Sequence, residues 1–274
     1  MGLMPSLPPL VFAHANSFPT ATYSVMLASL RARGFAVEAL DQLGHDPLYP
    51  VTNNWPHLVQ QLADFARGAV ARQGGPAFLV GHSLGGFLSL MVAARHPELA
   101  RGVLLLDAPI VGGWRATTLG AFKRAKMVEV VSPGKISRTR RQHWADEEAA
   151  LAHFQSKKAF ARWEPQVLQD YITHGTRDAD GQRVLSFDRA VETAIYNSFP
   201  DNLEGLLRRT PLRCPAAFIG GTHSAEMRQI GMGLTTKITK GRTMMLDGSH
   251  LFPMEKPLAT AAAIEAALRN MAGG

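Results

Sequence analysis

Over residues 1–110 the chain alternates short apolar runs with longer amphipathic stretches, and this alternation limits the fold more than any other feature. Pro9 to Ala13 reads as a strand, Ala21 to Arg33 as a helix closed by Gly34, and Phe35 to Leu40 as a second strand. Asn54 can cap a helix from Trp55 to about Arg72, with Pro56 in its first turn, where a missing N–H costs little. Ala77 to Val80 reads as a strand, Leu84 to Arg95 as a helix and Val103 to Leu106 as a strand. Strands that alternate with helices of this length form right-handed crossover units, so the expected sheet is parallel and covered on both faces.

The rhythm stops at Asp107. From about Trp114 to Leu207 the pattern is mainly helical, and Asp178-Ala-Asp-Gly-Gln182 marks a turn. It then resumes with a strand over Ala216 to Ile219, a helix from Ala225 to about Lys240, a strand over Thr243 to Leu246 and a final helix from Lys256 to Met271. The simplest organisation is one α/β domain built from residues 1–112 and 208–274, with residues 113–207 inserted between two of its strands.

Composition narrows the class. The chain has 46% hydrophobic and 19% charged residues, which suits a globular protein and excludes a disordered one. No run of 18 apolar residues is present, so no membrane contact is expected. The formal charge of +7 is concentrated between Gly112 and Arg213, where 17 Lys or Arg face 12 Asp or Glu. The densest piece, Lys135-Ile-Ser-Arg-Thr-Arg-Arg141, carries no aromatic platform for bases and reads as a solvated surface, so no nucleic-acid partner is expected. The one cysteine, Cys214, cannot form an internal disulfide and reads as a structural thiol. The start of the chain lacks the basic segment of a secretory leader, which makes a cytoplasmic location the expectation.

Gly81-His-Ser-Leu-Gly85 lies between a strand and a helix, the context that gives a G-x-S-x-G pattern meaning. A serine in so tight a turn crowds the residues two positions away on either side, and both are glycine. The Leu84 N–H stands at the start of the helix, where developing negative charge is stabilised. A serine hydroxyl needs a base at neutral pH. Of the ten histidines, none has the spacing of a helical zinc pair. His250 follows the last strand in Gly248-Ser-His-Leu-Phe-Pro253, at the end of a parallel strand where such sheets place their chemistry. His57, His96 and His174 fall in or at the ends of helices and read as packing or surface residues. No metal and no organic cofactor is expected, since Gly231-Met-Gly233 follows no strand and is too small a fragment for a dinucleotide loop.

In order along the chain, Phe12-Ala-His-Ala-Asn-Ser-Phe-Pro19, Gly81-His-Ser-Leu-Gly85 and Gly248-Ser-His-Leu-Phe-Pro253 resemble the α/β-hydrolase family over essentially the whole length. The resemblance implies a mostly parallel sheet of about six strands, the family's first two being absent, and a helical cap over 113–207. It also implies that the Asn16 N–H, in a loop reading His14-Ala15 where the family has His-Gly, pairs with the Leu84 N–H as the oxyanion hole. The family's acid usually follows the penultimate strand, where Phe218-Ile-Gly-Gly-Thr-His-Ser-Ala-Glu226 offers no Asp. Some relatives carry it after the strand that follows the nucleophile helix, as certain haloalkane dehalogenases do. That position is Asp107, and Glu226 is the alternative.

These readings point to a serine hydrolase of small esters or related acyl compounds, with Ser83 as nucleophile, His250 as base and Asp107 as orienting acid. A carbon–carbon bond hydrolase or cofactor-free lyase on the same residues, or a non-catalytic binding protein, remain as alternatives. The expected partner is a small molecule with an apolar acyl part. Trp114, Phe122, Trp144, Phe154, Phe160 and Trp163 could line a pocket for it, although aromatic residues at helical spacing are also what a small helical layer buries.

Overall fold

A computed structural model describes residues 9–124 and 134–273, so the leader reading at the start of the chain lies outside the described residues. Four strands come first, β1 (Leu10–Ala13), β2 (Val37–Ala39), β3 (Ala77–His82) and β4 (Ala100–Leu106). The insertion contributes β5 (His143–Trp144), β6 (Thr176–Ala179) and β7 (Gln182–Leu185), and the chain closes its sheet with β8 (Ala216–Gly221) and β9 (Thr243–Leu246). The main sheet has six strands in the order β2-β1-β3-β4-β8-β9, every neighbouring pair parallel.

Side chains of consecutive strand residues point to opposite faces, and the core divides accordingly. Val11, Leu79, Val103, Leu105 and Phe218 pack on one face against helices Pro56–Gln73 and Leu84–Arg95. Leu10, Phe12, Phe78, Val80, Leu104, Leu106 and Ile219 pack on the other against helices Ser24–Ala32 and Pro257–Ala272. The inner strands are therefore buried on both faces, as continuous apolar runs require. The outermost strands are short, and β9 exposes three of its four residues.

Several local expectations change. Asn54 does not cap the helix that follows. Asn54 and Trp55 both take left-handed backbone angles, and the Asn54 carboxamide oxygen accepts the Asp201 N–H at 2.9 Å. The stretch Ala225–Lys240 is two helices, Ala225–Ile230 and Gly233–Thr239, because Gly231 takes a φ of 78° that no continuing helix allows. The insertion is helical at Gly113–Arg124, Gly134–Thr139, Glu147–Gln155, Pro165–Gly175, Arg189–Asn197 and Leu203–Arg209, yet it also holds an antiparallel sheet in the order β5-β7-β6. The Asp178–Gln182 turn joins β6 to β7, with Asp180 and Gly181 both at positive φ as a tight hairpin requires. Among the described residues no helix is long and apolar enough to cross a membrane.

Candidate active site

The motif residues gather at the C-terminal edge of the main sheet. Ser83 sits between β3 and its helix with φ 49° and ψ −114°, a conformation rare for a residue with a side chain. The turn closes so tightly that a Cβ on Gly81 would lie 2.1 Å from the Gly85 carbonyl carbon, and one on Gly85 would lie 2.0 Å from the Ala13 oxygen. The bend is held by the Ser83 N–H donating to the Leu106 oxygen at 2.9 Å, and by the Gly86 and Phe87 N–H groups donating to the Ser83 oxygen at 2.9 and 3.1 Å.

Asp107 directly follows β4, also at positive φ (43°), with its side chain fully buried. Its carboxylate accepts the Gly221 N–H at 2.7 Å, the Ser224 hydroxyl at 2.6 Å and His250 Nδ1 at 3.0 Å. Glu226 lies farther out. Its Oε2 is 3.8 Å from the same ring nitrogen and its side chain is 44% exposed. Ser224 also approaches Glu226 at 3.3 Å, but it has one proton and the shorter contact is to Asp107. The donor atoms of Asp107, Glu226 and His250 lie within 4.8 Å of one another, a spacing a cation could bridge. The Asp107 oxygens, however, already accept three hydrogen bonds, so the cluster is arranged as a hydrogen-bonded acid and imidazole.

With the Asp107 carboxyl oxygen accepting from Nδ1, the free lone pair of neutral His250 is on Nε2. Burial alone would push the His250 pKa down, but the Asp107 hydrogen bond and the negative charges of Glu226 and Asp107 outweigh it, and the net shift is upward. The Ser83 hydroxyl makes no hydrogen bond with another described residue. Such contacts are commonly long in ligand-free sites and tighten with substrate.

A buried chain of hydrogen bonds ties these parts together, and sequence reading had not singled it out. The Ala15 N–H donates to the Tyr23 hydroxyl at 3.1 Å, which lies 2.8 Å from His82 Nδ1, and His82 Nε2 lies 2.9 Å from the His250 carbonyl oxygen. A carbonyl can only accept, so His82 carries its proton on Nε2 and Tyr23 donates to Nδ1. His82 needs no charge for this, and burial, helped by the neighbouring His250, holds its pKa well below the ordinary value. The only advance signal was the place of His82 beside Ser83 in the motif.

The loop after β1 meets the helix carrying Leu84 where the Gly85 N–H donates to the His14 oxygen at 3.1 Å. Among the described residues, neither the Asn16 nor the Leu84 N–H donates to another group. His14 itself is buried, with a pKa lowered to about 4 chiefly by that burial. It accepts the Leu43 N–H on Nε2 at 2.8 Å, so it serves the loop as a neutral scaffold. In the stretch after β2, Gln42 and His45 bind the insertion, Gln42 Nε2 donating to the Ser186 oxygen and His45 Nε2 accepting the Asp188 N–H.

The insertion's aromatic residues pack on one another. Ring centroids of Trp144 and Phe154 lie 5.3 Å apart, Phe154 and Phe160 4.9 Å, and Phe160 and Trp163 4.6 Å, with Phe160 packed against the core cluster that holds the other three together with Leu10 and Phe12. The side chains of Trp114 and Phe122 lie outside the described set. One residue of the basic run also departs from expectation. Arg140 is largely buried and places Nη2 2.9 Å from Glu192 Oε2, because an interior carboxylate demands a cationic partner.

A model of the alpha/beta hydrolase family matches residues 10–263. A serine hydrolase-like protein of Dictyostelium discoideum is 25% identical over 85% of this chain and 67% of its own length. A pyrethroid hydrolase of Sphingobium wenxiniae is 31% identical over 36% of this chain, and that match spans only 35% of the relative. Among solved structures, E-2-(acetamidomethylene)succinate hydrolase superposes with a TM-score of 0.75 at 21% identity, covering 96% of this chain and 91% of that one. A thioesterase domain from the curacin biosynthetic pathway gives 0.72 at 17% identity over 96% and 92%. At such identities the structural likeness is one of fold. With the family model spanning the sheet, the serine turn and the final histidine loop, this chain belongs to the alpha/beta hydrolase family.

Proposed function

We propose that this protein hydrolyses small esters or related acyl compounds through a covalent acyl-enzyme on Ser83. The observation that carries the reading is the 3.0 Å contact between a buried Asp107 carboxylate and His250 Nδ1, at the same sheet edge as a serine in a strained turn. His250 Nε2 takes the Ser83 proton as the hydroxyl oxygen attacks the acyl carbon. The carbonyl electrons move onto oxygen, where the N–H groups of Asn16 and Leu84 receive the charge. The tetrahedral adduct collapses, and His250 gives its proton to the departing alcohol. Water then enters and its oxygen bonds to the acyl carbon as His250 takes its proton; the second adduct collapses as His250 returns that proton to the departing Ser83 oxygen, releasing the acid and free Ser83. Throughout, Asp107 keeps the imidazole in the productive tautomer and steadies its cation.

The acyl part of the substrate is apolar in this reading. Fluorophosphonate labelling tests the chemistry. The folded protein should label on the peptide containing Ser83, and Ser83→Ala should abolish both labelling and hydrolysis of nitrophenyl acetate. A folded protein that resists the label would end this reading in favour of a binding role.

A further inference from the structure

The loop that carries Asn16 is held from two sides. Its first half is fixed by the core: the Gly85 N–H donates to His14 oxygen, the Leu43 N–H to the His14 ring, and the Ala15 N–H to Tyr23. Its second half is fixed by one residue of the insertion, Glu192, in the helix Arg189–Asn197. The Asn16 Nδ2 donates to the Glu192 backbone oxygen at 3.1 Å, and the Ser17 hydroxyl donates to Glu192 Oε1. Ser17 itself has a φ of 79°, which a serine adopts only when its surroundings impose it.

Glu192 is an expensive residue to keep there. It is 2% exposed, and a buried carboxylate costs stability unless it is paired. Arg140, 2.9 Å away, supplies the pairing charge. The helix bearing Glu192 is itself fastened at its start, where Asp188 caps the Ala190 N–H at 2.6 Å and the Asp188 N–H donates to His45. Contacts 175 and 176 residues apart in the chain thus converge on the two loop positions next to the serine turn.

We infer that Glu192 is a positioning residue, holding Asn16 and Ser17 so that the Asn16 N–H is aimed at the oxygen of the reacting carbonyl. This rests on the acyl-enzyme reading above. A donor that is misplaced by a fraction of its hydrogen-bond length loses most of its value to a developing oxyanion, and that value is larger in the transition state than in the bound substrate. Loss of the clamp should therefore appear in kcat rather than in KM.

The test compares Glu192→Ala, Glu192→Gln and wild type with nitrophenyl acetate as substrate and an alkyl trifluoromethyl ketone as transition-state analogue. Glu192→Ala removes the carboxylate that holds Ser17 and keeps the backbone oxygen that Asn16 Nδ2 meets, so it should lower kcat about 10-fold, less than the roughly 100-fold of one lost oxyanion donor, and weaken the ketone by a similar factor. KM should change by less than about threefold, since ground-state binding is untouched. Glu192→Gln keeps an oxygen that can accept from Ser17 and should recover most of the loss. If Glu192→Ala does not fold, Ser17→Ala, which deletes only the hydroxyl, should give the same pattern at smaller size. Asp146→Ala serves as a control, because it uncaps a different helix of the insertion, where Asp146 accepts the Ala149 N–H.

The inference is overturned if folded Glu192→Ala keeps its turnover and ketone affinity, or if Asp146→Ala shows an equal loss. Fluorophosphonate labelling of wild type separates the two levels. An unlabelled wild type sinks the acyl-enzyme reading itself, whereas a labelled wild type with indifferent variants sinks only the clamp.

Discussion

His250 Nδ1 lies 3.0 Å from Asp107 Oδ1, although 143 residues separate the two in the chain. The contact exists because β4, which stops one residue before Asp107, pairs with β8, and β8 pairs with β9, whose following loop carries His250. The Asp107 carboxylate is aimed by two further donors, Gly221 at the end of β8 and Ser224 in the turn after it, so three strand ends cooperate in placing one carboxylate.

That arrangement ranks the two candidate acids. Asp107→Asn should reduce turnover by about ten-thousand-fold, as loss of the orienting acid does in a serine triad, because the amide favours the wrong imidazole tautomer. Glu226→Gln should cost far less, since that carboxylate is more distant and half-exposed. Steady-state kinetics of the two variants decide it, and the opposite ranking would move the acid to Glu226.

The pH profile follows from the His250 shift. The proposed mechanism needs the neutral imidazole, and the net shift of its pKa is upward from the ordinary 6.5, so the acid limb of kcat/KM should have its midpoint above that value. Glu226→Gln removes one of the negative charges that favour the cation. The midpoint should then move to lower pH and activity should persist further into acid. A midpoint that stays put would show that Glu226 does not act on the imidazole.

Tyr23→Phe keeps the ring and deletes the hydroxyl that serves both the Ala15 N–H and His82 Nδ1. Two buried polar groups lose their partner at once, so the fold should lose about 2 to 4 kcal/mol. Chemical denaturation reads this directly. A change below about 0.5 kcal/mol, the range of ordinary surface substitutions, would mean that the buried chain of hydrogen bonds does not stabilise the fold.

Gly85→Ala is expected to be severe. The new Cβ would sit 2.0 Å from the Ala13 oxygen and 2.4 Å from its carbonyl carbon, both backbone atoms of an inner strand that cannot turn aside. The loss should reach at least about 4 kcal/mol, seen as failure to accumulate soluble protein or a large fall in melting temperature. A soluble variant of near-normal melting temperature would show that the serine turn is looser than its geometry implies.

Much of the framework was legible in the sequence. Periodicity depends on residues two to four positions apart, so Thr243–Leu246 and Leu84–Arg95 could be bounded to the residue and the six parallel strands anticipated. Where a polar strand lacks that periodicity, as in Thr-Arg-Asp-Ala of β6, the turn was visible but the hairpin was not. Arg140 likewise reads as one more surface charge until its neighbour Glu192 is known.

By itself, then, the sequence determined which segments become the strands of the main sheet and placed Ser83, Asp107 and His250 each just past the end of one, because those choices follow from local pattern and turn chemistry. Only the tertiary structure decided that Asp107 stands nearer His250 than Glu226 does, that Tyr23 and His82 form one chain of hydrogen bonds with the Ala15 N–H and the His250 carbonyl, and that Glu192 reaches across to Asn16 and Ser17. These relationships join residues far apart in the chain, and the packing of whole layers, not the preferences of neighbours, sets their distances.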